Sequence, residues 1–307
     1  MIRNILVPLD GSDFGARAID WAALLAKRSA ATLHLVHVRT PLIVADPMLQ
    51  YTLVEVETAE EAQEYIETVL LRRGKAIDEV AIKKAVLEGS VVEALCRYTQ
   101  DHGIELVVMT THGRGPWAKF WEGSTAESLV RSLPVSILLL RATEDTPGQS
   151  PPNEGFQHIL MPVEQNIHPD GVGGMAFTLA RLFNARVTLL HVCPPNVTST
   201  GAASVNESHL LPPAIAAALE ATQSRACQAG IPLQIHVVSH ENPAGAIVAE
   251  AAKLGCDLIA METRCRTGIA RWVRGSTADR ILQSATVPVL LHCSRHSRQP
   301  SDSTLTG

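Results

Sequence analysis

One stretch of the chain gathers residue types that can hold an anion. It is Met109-Thr110-Thr111-His112-Gly113-Arg114, running on to Gly123-Ser124-Thr125. Gly113 and Gly123 have no Cβ, so their backbone can come close to a bound group. A Ser-Thr step at a helix start caps the helix, and the free N–H groups beyond it attract negative charge. The nine residues between Gly113 and Gly123 include Arg114 and Lys119 as cations, with Trp117 and Trp121. Together these can cradle a phosphate. A second stretch, Pro8-Leu9-Asp10-Gly11-Ser12, supplies an acid. Asp10 can accept hydrogen bonds or hold a cation. Each residue also has a plainer reading: turn glycines, a helix-capping aspartate, a solvated loop arginine. His112 fits either an approach to a terminal phosphate or a loop facing water.

The elements that must position these residues follow from hydrophobic pattern. Leu106-Val107-Val108-Met109 and Ile5-Leu6-Val7 are continuous apolar runs, as strands buried on both faces require. Helices are expected over about 15–28, 55–73 and 91–101, and from Ser124 onward. Ser12 or Asp13 can cap the first. Thr32–Val38, Ala81–Leu87 and Val135–Leu140 complete the strands, with a loop carrying Pro41 and Pro47 after the second. Strands alternating with helices imply βαβ units and a parallel sheet.

The order then restarts. Ile159–Glu164 answers Ile5–Asp10, Leu189–Val192 answers Leu35–Val38, and Leu258–Met261 answers Leu106–Met109. Gly275-Ser276-Thr277-Ala278 repeats Gly123–Ala126 letter for letter. The offset is 154 residues early and 152 late, so a whole domain is duplicated. The expected division is 1–143, a Pro- and Gly-rich linker 144–155, 156–294, and a disordered tail 295–307.

Composition narrows the classes. Hydrophobic residues make up 46% and charged residues 19%, as in a soluble globular protein. A net charge of −5 does not favour nucleic acid or an anionic membrane as partner. No apolar run reaches the ~18 residues of a membrane helix, and no signal peptide is visible, so a cytoplasmic location is expected. The six cysteines form no CxxC pair. There is neither a GxxxxGK[ST] P-loop nor a GxGxxG after the first strand.

With these residues in view, the chain resembles the universal stress protein family in its tandem two-domain form. The nucleotide-binding branch of that family carries a glycine, two residues, a glycine, nine residues, then Gly-Ser or Gly-Thr. The first domain reads Thr110, two residues, Gly113, nine residues, Gly123-Ser124, with threonine replacing the first glycine. The second reads Glu262, two residues, Cys265, nine residues, Gly275-Ser276, with both early glycines gone. The resemblance implies two adenine-nucleotide alpha hydrolase-like (Rossmann-like) α/β domains. Each would have a five-stranded parallel sheet, order 3-2-1-4-5, with helices on both faces. Ligands of such sheets bind beyond the carboxyl ends of the strands where the order reverses, here between strands one and four.

The resemblance places adenine against Pro8, Leu9 and Val38 and the sugar against Met109 and Thr110. Phosphates would meet Gly113, Arg114, Gly123, Ser124 and Thr125, with magnesium at Asp10. A degenerate second site would comprise Glu164, Val192, Arg264, Arg266, Gly275, Ser276 and Thr277. There Glu262 and the arginines 264, 266, 271 and 274 fit either a charge network filling the site or a pocket for another anion. The expected function is a regulatory module of the stress response that binds ATP or another adenine nucleotide, mainly in domain one. A scaffold without nucleotide and a slow ATPase are the alternatives. The partner protein is not legible. The fifth strands are apolar, uncharged edges, so the two halves are expected to form an intramolecular pseudo-dimer. Ile137 and Leu139 would then face Val289 and Leu291. A homodimer of whole chains is compatible with this.

Overall fold

A computed structural model of the 307-residue chain describes residues 1–40, 42–44, 52–54, 57–112, 125–142, 154–163, 172–195, 211–264 and 276–294. The linker 144–155 lies almost wholly outside them, and the tail 295–307 wholly so. In the first half, β1 (Asn4–Leu9) leads through one 3₁₀ turn into α1 (Ala18–Ser29), then β2 (Thr32–Arg39). A short hairpin, β3 (Leu42–Val44) and β4 (Thr52–Val54), precedes α2 (Ala59–Arg73). Then come β5 (Ala81–Glu88), α3 (Val91–Asp101), β6 (Leu106–His112), α4 (Thr125–Ser132) and β7 (Ser136–Ala142). The second half repeats the plan without a described hairpin. It has β8 (His158–Pro162), α5 (Val172–Phe183), β9 (Arg186–Cys193), α6 (Pro213–Gln228) and β10 (Leu233–Ser239). It closes with α7 (Pro243–Lys253), β11 (Leu258–Arg264), α8 (Ser276–Ser284) and β12 (Val289–Ser294).

Ile5, Leu6 and Val7 are fully buried, because helices cover both faces of their strand. Along α1, Ile19, Trp21, Ala22, Leu25 and Ala26 are buried, and Ala30 in the left-handed region ends the helix. The second helix starts four residues later than its sequence pattern predicts. Thr58 caps it, accepting from the Glu61 N–H at 3.1 Å while the Glu61 carboxylate accepts from the Thr58 N–H at 2.8 Å. The hairpin β3–β4 was not legible: two three-residue strands are too short to show a period.

Each half orders its five main strands as 3-2-1-4-5, namely β5-β2-β1-β6-β7 and β10-β9-β8-β11-β12. All pairs within a half are parallel. The two sheets join into one of ten strands, through antiparallel pairing of β7 with β12. Leu138 lies opposite Leu290, its own counterpart in the repeat, while Leu139 faces Val289 and Ile137 faces Leu291. Such reciprocal pairing is the signature of a two-fold axis, here an approximate one inside a single chain. At the amino ends of the strands, the copies share an acid clamp. The Glu105 carboxylate accepts from the Arg3 and Asn4 N–H groups, and that of Asp257 accepts from Gln157 and His158.

Candidate functional site

The carboxyl end of the first sheet opens where β1 and β6 part. Their ladder has only two pairs, Ile5 with Leu106 and Leu6 with Val107. On the outer sides pairing goes on: β1 with β2 to Leu9 and His37, β6 with β7 to His112 and Ala142. So pairing between the two central strands stops short of their last residues, Pro8 and Leu9 on β1 and Met109 and Thr110 on β6, with Val38 just beyond His37 on β2; an open sheet has its crevice at such a point. The second half parts in the same way, after Leu258–Ile159 and Ile259–Leu160.

At the mouth Asp10 is exposed. Its Oδ1 accepts from the Ser12 N–H at 3.0 Å and the Ser12 hydroxyl at 2.6 Å. The Ser12 hydroxyl oxygen in turn accepts from the Gly15 N–H at 2.9 Å. Ser12, one of the two capping candidates in the sequence, thus satisfies the Gly15 N–H at the start of the 3₁₀ turn, while α1 itself follows Arg17 without a side-chain cap. Gly15 is needed for space: a Cβ there would lie 2.4 Å from Asp10 Oδ1. Gly11, at φ +83°, makes the turn that brings Ser12 back onto Asp10. With one oxygen held, the carboxylate is fixed over the crevice. Thr110, which replaces a glycine of the family pattern, sends its hydroxyl across the gap to donate to the Phe14 carbonyl at 3.4 Å.

A polar cluster that the sequence did not reveal stands beside these residues. His37 Nδ1 lies 2.9 Å from the Leu9 carbonyl and Nε2 lies 2.8 Å from Glu57 Oε2. The Tyr65 ring packs 5.5 Å from the imidazole, and its hydroxyl donates to the Ser12 carbonyl at 3.3 Å. Burial first, and then the negative charge of Asp10, push the Tyr65 phenol up to about 12. Arg72–Asp13 and Arg73–Asp20, both 2.7 Å, fasten the end of α2 to the same loop and to α1. The first is exposed and contributes little; the second is four-fifths buried on both sides. One sequence signal pointed here, the His-Val step repeated at 37–38 and 191–192.

Of the candidate residues, Pro8, Leu9 and Asp10 stand at the carboxyl end of β1, Val38 near that of β2, and Met109 and Thr110 in the second half of β6. Gly113, Arg114, Gly123 and Ser124 lie outside the described residues, and Thr125 begins α4. In the second half Val192 lies near the end of β9, Arg264 ends β11, and Ser276 and Thr277 begin α8. Glu164, Arg266 and Gly275 lie outside the described residues, as do Cys265, Arg271 and Arg274. Among the described residues, no helix is long and apolar enough to cross a membrane.

Comparison with known proteins adds identity to this geometry. The profile of the universal stress protein family matches residues 1–141 and 155–292. Universal stress protein YxiE of Bacillus subtilis is 26% identical over 151 residues, covering 46% of this chain and all of that protein. A Na(+)/H(+) antiporter of Synechocystis, NhaS5, is 24% identical over 296 residues; the match takes in 94% of this chain but only 38% of the antiporter. The crystal structure of a universal stress protein from Archaeoglobus fulgidus superposes with a TM-score of 0.68 at 17% identity. It covers 95% of this chain and 98% of that one, which establishes a common fold.

Proposed function

Because the chain belongs to the universal stress protein family, with the family's domain present twice, we propose that it is a stress-response regulator that binds one adenine nucleotide, in its first half. The observation that carries this reading is the parting of β1 and β6 beneath a fixed Asp10, in the half that keeps Gly113 and Gly123-Ser124. Open α/β sheets bind ligands at such a switch point. In this reading Leu9 and Val38 flank the base, and Met109 and Thr110 the sugar. Gly113, Gly123, Ser124 and Thr125 offer N–H and hydroxyl donors to the phosphates, and Arg114 adds charge. The free oxygen of Asp10 would take a ribose hydroxyl or a magnesium ion carried by the phosphates. Phosphoryl transfer needs a positioned nucleophile beyond a phosphate cradle, so in this reading hydrolysis is absent or slow.

The second half keeps the crevice but replaces both early glycines, with Glu262 putting a carboxylate where sugar or phosphate would sit. The expected stoichiometry is therefore one nucleotide per chain. Mass spectrometry of small molecules released from freshly purified, denatured protein identifies the ligand, and calorimetry counts it. Two equivalent sites would overturn the asymmetry. Gly113→Val and Gly123→Val should each abolish binding with the fold intact, because a side chain there keeps phosphate off the backbone. The antiporter match along 94% of this chain favours a second reading, a tandem unit that regulates a partner protein by contact without nucleotide. Protein purified free of nucleotide, and indifferent to added ATP, ADP and AMP, would support it.

A further inference from the structure

The duplication provides a control for the polar cluster around His37. In both halves a histidine two residues before the end of the second main strand has Nδ1 2.9 Å from a carbonyl at the end of the first, His37 from Leu9, the last residue of β1, and His191 from Val163, just past β8. The helices that follow begin at corresponding residues, Ala59 and Pro213. Counting from those starts, Glu57 corresponds to Leu211 and Tyr65 to Leu219, both buried and apolar. Among the described residues, the second half is therefore built without a carboxylate on the histidine and without a phenol at the position of Tyr65. What the first half adds is not needed to make the fold.

Donor counting shows what it adds. His34, in the same strand, meets one acceptor and one donor: Nε2 faces Asn4 Oδ1 at 3.2 Å and Nδ1 faces the Tyr98 hydroxyl at 3.0 Å. A neutral imidazole satisfies both. His37 meets two acceptors, a carbonyl and a carboxylate. Both contacts are hydrogen bonds only when the His37–Glu57 pair holds one proton more than neutral imidazole plus carboxylate. When that proton leaves, one of the two contacts becomes lone pair against lone pair. The imidazole is 6% exposed, and no water replaces the lost partner without rearrangement.

We propose that His37 and Glu57 form a proton-operated latch, which fixes the segment leading into α2 against the end of β1 and so sets the affinity of the adenine wall formed by Leu9 and Val38. The nucleotide part of this proposal rests on the reading of the first-half site given above; the latch itself does not. Other charged groups face the same place. Asp10 and Asp13 approach from the β1–α1 loop, and Tyr65 and Arg73 from α2. Both contacts hold while the extra proton is present and one fails when it leaves, so latching and nucleotide affinity both fall as pH rises. Glu57→Gln separates the latch from simple packing. A glutamine amide can donate to Nε2 of a neutral imidazole, so the variant keeps both contacts at every pH.

The test has two arms on the full chain. Hydrogen exchange in nucleotide-free protein, corrected for intrinsic rates, reads the amides of residues 57–62, with the four amides within 211–216 as internal control, since Pro212 and Pro213 carry none. Protection at 57–62 should fall about tenfold between pH 6 and pH 8.5, the loss of one charge-assisted hydrogen bond. It should be level in Glu57→Gln and at 211–216. Calorimetry with ATP, ADP and AMP should show a parallel three- to tenfold loss of affinity in the native chain and none in Glu57→Gln. Level protection in the native chain, or an unchanged profile in Glu57→Gln, overturns the latch. Pronounced pH dependence of exchange with no nucleotide bound at any pH leaves the latch standing and overturns the nucleotide reading.

Discussion

Single residues in this protein differ most in how their polar atoms are satisfied. His34 is wholly buried with a partner on each ring nitrogen. Burial, and then the neighbouring Lys83 and His102 charges, lower its pKa from 6.5 to about 4. Between those values the unfolded chain binds a proton that the native state refuses, so stability rises with pH across the window. The contribution is complete above 6.5 and is lost progressively as the solution is acidified towards about 4, by roughly 3 kcal/mol in all. Urea denaturation of His34→Gln at several pH values should show a flatter curve between 6.5 and 4 than the parent. An equally steep curve would assign the acid sensitivity elsewhere; His158 and His292, also lowered by burial, would be the next groups to replace. Thr110 carries the second prediction at this scale. Its hydroxyl is already engaged with the Phe14 carbonyl across the gap. Thr110→Val should therefore cost about 0.5–1 kcal/mol of stability and leave nucleotide affinity unchanged by calorimetry. Weakened binding would show that the hydroxyl serves the ligand.

Among the elements, the β7–β12 seam decides most. Ile137, Leu139, Val289 and Leu291 are all buried within one apolar cluster that draws on both halves. The seam also carries a polar contact, with the Ser136 hydroxyl 3.2 Å from His292 Nδ1. A strand of this character left as an open edge would pair with another chain. Pairing it with its own copy removes that hazard and leaves β5 and β10 as the outer edges. Ile137→Lys puts an ammonium where the residue is 1% exposed, opposite Leu291. The expected cost is several kcal/mol, since burying an unpaired charge is among the most destabilising of substitutions. Differential scanning calorimetry should show a large fall in melting temperature, and X-ray scattering an expanded particle. A compact particle of unchanged stability would mean that the seam contributes little.

Across the whole molecule, a second contact joins the halves. Trp21 on α1 stacks on Phe156 at 4.9 Å, and Phe156 meets Phe183 edge-on at 5.7 Å. Gly155 makes this possible: it takes φ +70°, and a Cβ there would lie 2.2 Å from the Phe183 ring. Phe156 is fully buried in a cluster that holds β1 and α1 residues together with those of β8, β9 and α5. Both core clusters therefore run through both halves, and a single cooperative unfolding transition is expected. Phe156→Ala should cost about 3–5 kcal/mol and lower the melting of the whole chain. Loss confined to one of two separate calorimetric peaks would show instead that the halves unfold independently.

The succession of strands and helices and the duplication were legible in the sequence, each from a local signal such as the apolar run at Leu106–Met109, the Gly-Ser-Thr-Ala repeat, or the alternation of periods, whereas the point where the sheet opens followed from the strand order that the family resemblance implied. Those signals need no knowledge of what lies across space. The capping candidates before the first helix were narrowed to Ser12 or Asp13, and the geometry of Asp10, Ser12 and Gly15 put Ser12 on the Gly15 N–H. The edge character of the fifth strands was also legible, but only the assembled sheet fixed their register around Leu138 and Leu290. The His37–Glu57–Tyr65 cluster and the Trp21–Phe156 stack escaped sequence reading altogether. Their members stand 20, 28 and 135 residues apart, and no periodicity links residues that distant. Hydrophobic burial folds the chain whichever polar residues it happens to bring together, as Leu211 and Leu219 in the second half demonstrate. Which side chains end up sharing a proton is settled only when the strands are side by side.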